Sequence, residues 1–145
     1  MRKKILFLCT GNSCRSHMGE AWTRAFHSDR YDAFSAGTIA KGLNPNMVLV
    51  MREVGIDPTI HQSSKTLKSV CDAGVRLDLV ITVCSHAHET CPVCPGGTTT
   101  VLHVGFDDPP ELEKTATTPE EALNHYRRVR DQIRDFVAGF PDNLP

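Results

Sequence analysis

Short runs of consecutive apolar residues alternate along the chain with longer segments in which apolar residues recur every three or four positions. Such short runs are typical of buried strands, and the longer periodicity is typical of amphipathic helices. The run from Leu77 to Val83 is almost continuously apolar, as expected of a strand in a parallel sheet covered on both faces. The predicted strands span residues 3–8, 31–36, 77–83 and 99–104.

Helical periodicity and capping residues fill the intervals between these runs. Met18, Ala21, Trp22 and Ala25 share one helical face, and Asn44 followed by Pro45 is a typical helix start. The charged face of the last helix, which includes Arg130, is expected to be solvated. The predicted helices run over 16–27, from Pro45 until Gly55 stops the second, from a cap at Ser63 or Ser64 to Gly74, and from Thr118 to about Phe140.

Strands that alternate with helices predict an α/β fold, in which a four-stranded parallel sheet is flanked by helices on both faces. A length of 145 residues suits a single domain over 1–145. Ligands bind at the carboxyl ends of the strands in this architecture. The segments that follow the first, third and fourth predicted strands should therefore meet at one edge.

Charge and hydropathy limit the classes of binding partner and the cellular compartment that we expect for this protein. The formal net charge is −1, which gives no indication of a nucleic acid or membrane partner. The apolar run after Lys4 is too short for a signal peptide, so we expect a cytoplasmic protein. Cytoplasmic cysteines usually stay reduced unless they serve redox or metal chemistry. The six cysteines of this chain therefore need an explanation.

The loop from Cys9 to Ser16 joins the first predicted strand to the first predicted helix. Backbone N–H groups and a helix N-terminus make such a loop a site for oxyanions. The same groups stabilise a thiolate at Cys9, which makes it a nucleophile, while Arg15 offers a planar fork to a tetrahedral anion. The expected oxyanion-binding residues are Thr10, Gly11, Asn12, Ser13, Cys14, Arg15 and Ser16.

A second cluster follows the third predicted strand, where Cys84, Cys91 and Cys94 lie among histidines, prolines and glycines. We favour a redox interpretation, in which thiolates pass a disulfide outward from Cys9 by successive attack. The Cys-x-x-Cys spacing with nearby histidines also resembles a zinc ligand set. These cysteines could also have no task. Because metal would occupy the thiolates needed at this edge, we expect no metal site.

Acid chemistry is suggested by Asp107 and Asp108 after the fourth predicted strand. Asp108 precedes a proline, which holds it in an extended conformation and fixes the direction of its carboxyl group. A carboxylic acid beside the nucleophile can protonate a leaving oxygen. Asp107 could serve the same purpose, and an ordinary turn aspartate is the plainer alternative.

Four motifs together resemble those of the thioredoxin-coupled arsenate reductases. They are the loop Cys-Thr-Gly-Asn-Ser-Cys-Arg-Ser, the Ser-Ala-Gly at the end of the second strand, the pair Cys84 and Cys91, and Gly-Phe-Asp-Asp-Pro. That family shares the low-molecular-weight protein tyrosine phosphatase fold, and the resemblance covers nearly the whole chain. It implies a monomeric enzyme that reduces arsenate to arsenite, takes electrons from thioredoxin and holds no bound cofactor.

The resemblance also implies a role for each catalytic residue. Cys9 would attack arsenate held by the loop and Arg15, and Asp108 would help water leave. Cys84 would attack the Cys9–arsenic adduct and release arsenite, and Cys91 would then attack Cys84. Thioredoxin would reduce the final disulfide.

Two features depart from the family pattern. Cys94 is an additional cysteine that could compete with Cys91 as the resolving thiol. Some relatives bind potassium beside the loop, and Asn12, Glu20 and Ser35 match that site, but Ser64 stands where the family has an aspartate. This difference argues against potassium binding.

Two other functions remain open at this point. A low-molecular-weight phosphatase acting on phosphotyrosine or phosphoarginine would use Cys9, Arg15 and Asp108 in the same way, although phosphotyrosine phosphatases of this fold carry aromatic residues after the Asp-Pro and this chain has none there. A non-enzymatic protein could instead bind metal or arsenite through the cysteine- and histidine-rich segment.

Overall fold

The structure is a computed structural model that describes residues 2–84 and 99–145. Strands and helices alternate along most of the chain, as the hydrophobic pattern predicts. The elements are β1 (Lys3–Cys9), α1 (Arg15–His27), β2 (Tyr31–Gly37), α2 (Pro45–Glu53), α3 (Pro58–His61), α4 (Leu67–Asp72), β3 (Leu79–Thr82), β4 (Thr100–His103), α5 (Pro109–Glu113) and α6 (Pro119–Ala138).

The four strands form one parallel sheet in the order β2-β1-β3-β4. This confirms the predicted fold class. β1 lies inside the sheet, and consecutive side chains at Ile5, Leu6, Phe7 and Leu8 are each no more than 1% exposed. Because successive side chains of a strand point to opposite faces, both faces of the sheet are covered at β1.

Helix α1 packs directly on this strand. It contacts β1, β2 and α6. The approach is close at Gly19, where an added Cβ atom would lie 2.4 Å from the ring of Phe7. Only glycine permits this contact without displacing the core. The close packing of α1 on β1 fixes the two ends of the loop that joins them.

Two short helices, α3 and α5, were not predicted. They contain four and five residues, which is too short for a hydrophobic period to appear. The cap of α4 was also predicted wrongly, because the Oγ1 atom of Thr66, and not Ser63 or Ser64, accepts the hydrogen bond from the Ser69 amide at 3.2 Å.

The charged face of α6 differs from the prediction at one residue. Arg130 is only 9% exposed, and it donates hydrogen bonds to the Val50 carbonyl and the Glu53 carboxylate, each at 3.0 Å. The backbone carbonyl of Arg130 also accepts a hydrogen bond from the Trp22 indole at 3.0 Å. Arg130 is therefore part of the contact that joins α6 to α1 and α2, and it is not a solvated surface charge.

The helices of residues 2–84 and 99–145 are all too short or too polar to cross a membrane.

Candidate active site

The loop from Cys9 to Ser16 leaves the carboxyl end of β1 and leads directly into α1, where the sequence places it. Its sharpest bend is at Asn12, which is fully buried and has a φ angle of 45°. Few residues other than glycine adopt this left-handed conformation, and asparagine is one that does. An added Cβ atom at Gly11 would lie 2.8 Å from the side chain of Lys41, which is exposed and would have to move.

The predicted nucleophile, Cys9, is a free thiol that is 4% exposed. Its Sγ atom lies 2.9 Å from the hydroxyl oxygen of Ser16. That oxygen also accepts a hydrogen bond from the Asn12 amide group at 2.9 Å, so the Ser16 hydroxyl hydrogen is available to the sulfur. This contact fixes the position of the Cys9 sulfur in the loop.

The second cysteine of the loop, Cys14, has a different environment. It is 3% exposed, and burial raises the pKa of its thiol well above the usual value, with a further increase from neighbouring Cys9. Cys14 therefore stays a protonated thiol at neutral pH, and its chemistry fits a packing role at the base of the loop.

Arg15 is fixed at the mouth of the loop by a contact across the sheet edge. Its guanidinium donates a hydrogen bond to the Phe106 carbonyl at 3.0 Å and lies 3.6 Å from the Asp108 carboxylate. A cavity of about 490 Å³ opens here, lined by Cys9, the loop, Arg15, Lys41 and Asp108. The cavity therefore contains a nucleophile, a cationic fork and a carboxyl group.

Cys84 follows β3 and lies at the same edge as the loop. It is a free thiol, 5% exposed, and its Sγ atom is 3.3 Å from the hydroxyl of Thr10. A second cavity of about 500 Å³ contains Thr10, Arg15, Cys84 and Asp108 in its lining. The structure therefore brings together the segments after β1, β3 and β4, which the parallel topology predicts.

The two candidate acids are in different environments. The Asp107 carboxylate pairs with Arg128 on the surface at 3.0 Å. The Asp108 carboxylate faces Arg15, and it makes no capping hydrogen bond to α5 within the described residues. The geometry therefore favours Asp108 as the group that reaches a bound oxyanion.

Several predicted residues lie outside the described residues, among them Cys91 and Cys94 and the histidines of the possible zinc set. Within residues 2–84 and 99–145, no three His, Cys, Asp or Glu side chains are grouped to hold a metal ion. Cys71, at the end of α4, takes part in a disulfide bond.

A buried polar network beneath the loop was only partly predicted. The Nε2–H of His17 donates to the Asn12 carbonyl at 2.8 Å, and its Nδ1 accepts from the Gln62 amide at 3.2 Å. Ser35 donates to the Glu20 carboxylate at 2.7 Å. His17 and Gln62 have no signal in hydropathy, because polar residues become buried here through their mutual hydrogen bonds.

Comparison with known proteins places this geometry in a family. Residues 4–144 match the family model described as low molecular weight phosphotyrosine protein phosphatase. The chain belongs to this family. Its loop with Cys9 and Arg15, and its Asp108, are therefore parts of a phosphatase-type fold.

Within that family, the relatives found include several arsenate reductases. The arsenate reductase of Halalkalibacterium halodurans is 44% identical over 143 residues, covering 98% of each chain. That of Bacillus cereus is 42% identical over 143 residues, covering 97% of this chain and 96% of the relative.

Solved structures show the same fold. An arsenate reductase in a phosphate-binding state has a TM-score of 0.73 at 26% identity, with 99% of both chains covered. The low molecular weight protein tyrosine phosphatase of T. tengcongensis has a TM-score of 0.74 at 24% identity, with 98% of this chain and 99% of that chain covered. The second likeness shows the fold alone.

The buried network predicts how stability depends on pH. Burial is the main reason that the pKa of His17 falls from 6.5 to about 4 in the folded protein. As the pH falls, the unfolded chain binds this proton first, so stability is lost from about pH 6.5 down to about pH 4. We expect His17 to make the parent about 2 kcal/mol less stable at pH 5 than at pH 7, as measured by urea unfolding.

The His17→Gln variant should show a shallower loss of stability between these two pH values. His61→Gln, at an exposed residue of α3, is the control and should follow the parent. Parallel pH profiles for the parent and His17→Gln would contradict the assignment.

Proposed function

We propose that this protein reduces arsenate to arsenite through three cysteines, Cys9, Cys84 and Cys91, with thioredoxin as the electron donor. The observation that carries the proposal is the placement of two free thiols, Cys9 and Cys84, around one oxyanion loop. Hydrolysis of a phosphate ester needs only the first thiol. The arsenate reductases at 42–44% identity support the same substrate.

The first step is attack of the Cys9 thiolate on arsenic. Loop amides and the Arg15 guanidinium hold the tetrahedral oxyanion, whose charge they complement. A sulfur–arsenic bond forms and an arsenic–oxygen bond breaks. The leaving oxygen takes a proton from the Asp108 carboxyl group and departs as water.

The second step transfers the electrons. The Cys84 thiolate attacks the Cys9 sulfur, a sulfur–sulfur bond forms, and the sulfur–arsenic bond breaks with its electron pair going to arsenic. Arsenic(V) becomes arsenic(III) and leaves as arsenite, while two thiols become one disulfide. The Thr10 hydroxyl, 3.3 Å from the Cys84 sulfur, holds that thiol beside the loop.

The third step regenerates the nucleophile. The Cys91 thiolate attacks the Cys84 sulfur, which frees Cys9 and leaves a Cys84–Cys91 disulfide. A thioredoxin dithiol then reduces this bond by the same exchange chemistry. The role of Cys91 rests on its spacing in the sequence and on the family resemblance.

Phosphate ester hydrolysis is the second candidate, favoured by the family match itself. Cys9, Arg15 and Asp108 suffice for that reaction. The cavity over the loop is lined by glycine, proline, leucine and polar residues, and no aromatic side chain lies among the described residues that form it. The described aromatic groups at this edge, His103 and Phe106, line the adjoining cavity beside Cys84 instead. We therefore expect at most a weak side activity on aryl phosphates.

Single cysteine substitutions distinguish arsenate reduction from phosphate ester hydrolysis. With arsenate, thioredoxin, thioredoxin reductase and NADPH, we expect the parent to oxidise NADPH continuously, and we expect Cys84→Ser and Cys91→Ser to reduce turnover to background because the disulfide cannot be passed on. The Cys94→Ser variant is the matched control in the same segment and should retain turnover.

An opposite pattern would contradict the proposal. If NADPH oxidation did not depend on arsenate, while all four proteins hydrolysed an aryl phosphate efficiently, the loop would belong to a phosphatase.

The acid assignment is tested at the two adjacent aspartates. Asp108→Asn should lower kcat for arsenate by about 100-fold, because general acid catalysis typically contributes at least that factor. Asp107→Asn is the control and should stay within about twofold of the parent, since its carboxylate pairs with Arg128 on the surface. Equal losses in steady-state kcat for the two variants would contradict the assignment.

A further inference from the structure

The resemblance to potassium-binding relatives can be tested against the residues beneath the loop. Asn12, Glu20 and Ser35 are present, but the Lys65 ammonium donates hydrogen bonds to the carbonyl oxygens of Ser35 at 3.2 Å and Ser63 at 2.7 Å. Backbone carbonyl oxygens are the ligands that potassium prefers. These residues therefore do not fit a potassium ion.

We propose that the Lys65 ammonium is a built-in cation that supports the oxyanion loop and makes the protein independent of potassium. Lys65 is a positioning residue in this proposal, since its ammonium donates to the Ser35 carbonyl. The Ser35 hydroxyl contacts His17, and His17 donates to the Asn12 carbonyl of the loop. The effect on turnover rests on the proposed arsenate reduction, and the structural part of the proposal does not.

The charge balance beneath the loop supports this inference. Glu20 is only 2% exposed, and its carboxylate accepts hydrogen bonds from Ser35 at 2.7 Å and Arg24 at 2.8 Å. A buried carboxylate needs positive charge nearby. Arg24 supplies one such charge. Lys65 also interacts with Glu20, because burial lowers the pKa of Lys65 and the Glu20 charge opposes part of that lowering.

The residue next to Lys65 also differs from what a metal site needs. Ser64 donates a hydrogen bond to the Asn12 carbonyl at 2.8 Å, which an ionised aspartate could not do. Its neutral hydroxyl adds no negative charge to the site. The neutral Ser64 hydroxyl and the Lys65 ammonium therefore have the same consequence, because each reduces the need for a bound cation.

Lys65 is connected to the nucleophile through its own backbone. Its amide donates to the Asn12 side-chain oxygen at 2.7 Å, and its carbonyl accepts from the Gly37 amide at 2.9 Å. The Asn12 amide group then reaches Ser16, whose hydroxyl contacts the Cys9 sulfur. Substitution of the Lys65 side chain leaves these backbone contacts in place and removes the charge alone.

The test compares the parent with Lys65→Ala, Lys65→Met and Lys68→Ala, in potassium chloride and in choline chloride at equal ionic strength. Lys65→Ala removes the charge and leaves space, and Lys65→Met removes the charge but keeps an apolar stem in that space. Lys68→Ala is the matched control, because Lys68 is exposed on α4 and pairs only with Asp72 among the described residues. The readouts are Tm, and kcat and KM for arsenate.

For the parent and for Lys68→Ala, we expect the same Tm, kcat and KM in potassium chloride as in choline chloride. In choline, Lys65→Ala should have a lower Tm and a KM for arsenate raised about tenfold, as expected when a charged hydrogen-bond donor is lost, with kcat changed much less. Potassium should restore both values toward the parent. Lys65→Met should be impaired in both salts, because its stem keeps the ion out.

Two results would overturn the proposal. The first is a rise in Tm, on going from choline to potassium, that is as large in the parent as in Lys65→Ala. The other is a pair of Lys65 variants that match Lys68→Ala in choline. If the parent did not reduce arsenate, the proposed function would fail, and the Tm comparison would still decide the role of Lys65. If Lys65→Ala did not fold, two comparisons would still overturn the proposal: a Lys65→Met that matched Lys68→Ala in choline, or a parent whose Tm rose in potassium relative to choline.

Discussion

The hydrogen bonds that hold Asn12 in a left-handed conformation are the constraint on which the site depends. This backbone shape is unfavourable by about 1 kcal/mol for a residue other than glycine. Four hydrogen bonds compensate for it: the Asn12 carbonyl accepts from His17 and Ser64, its side-chain oxygen accepts from the Lys65 amide, and its amide group donates to Ser16. The turn is therefore fixed before any ligand arrives.

A fixed turn matters because an oxyanion site works by preorganisation. Loop amides stabilise the charge that develops on a bound oxyanion only if they already point at it. The hydrogen bonds of Asn12 fix the backbone of the loop. Arg15 is held at its mouth by the hydrogen bond to the Phe106 carbonyl. The parallel sheet supplies the rest, since it places Cys9 and Cys84 at the carboxyl ends of adjacent strands. An oxyanion loop with a second thiol beside it is suited to reduction as well as to hydrolysis.

The hydrophobic pattern extends over many residues in each strand and long helix. For this reason the sequence predicted the sheet, the long helices and the convergence of three segments at one edge. The site loop was predicted because its residue types have few other uses together. Burial of Arg130 could not be predicted, because a charged residue enters a core only when partners such as Glu53 and the Val50 carbonyl meet it in space. His17 was missed for the same reason, and α3 was too short to show a period.

The possible potassium site beneath the loop was first suggested by the family resemblance. Three matching residues suggested a cation site, and the difference at Ser64 argued against it. In our proposal, the side chain of Lys65 supplies the physical reason. The sequence gives no signal of this role, because a lysine next to a serine is ordinary on a surface. Its significance appears only when its ammonium group is found between the Ser35 and Ser63 carbonyls.

The proposed reduction requires the Cys84 thiolate to attack the Cys9 sulfur, so that a Cys9–Cys84 disulfide forms as arsenite leaves. A single turnover tests this step most directly. The Cys91→Ser/Cys94→Ser double variant would be fully reduced, freed of reductant and given one equivalent of arsenate. Its thiols would then be alkylated after unfolding and mapped by mass spectrometry. The account predicts one arsenite and one Cys9–Cys84 disulfide per chain, with Cys14 still a thiol. Alkylated Cys9 and Cys84 with no arsenite, or a disulfide that contains Cys14, would contradict it.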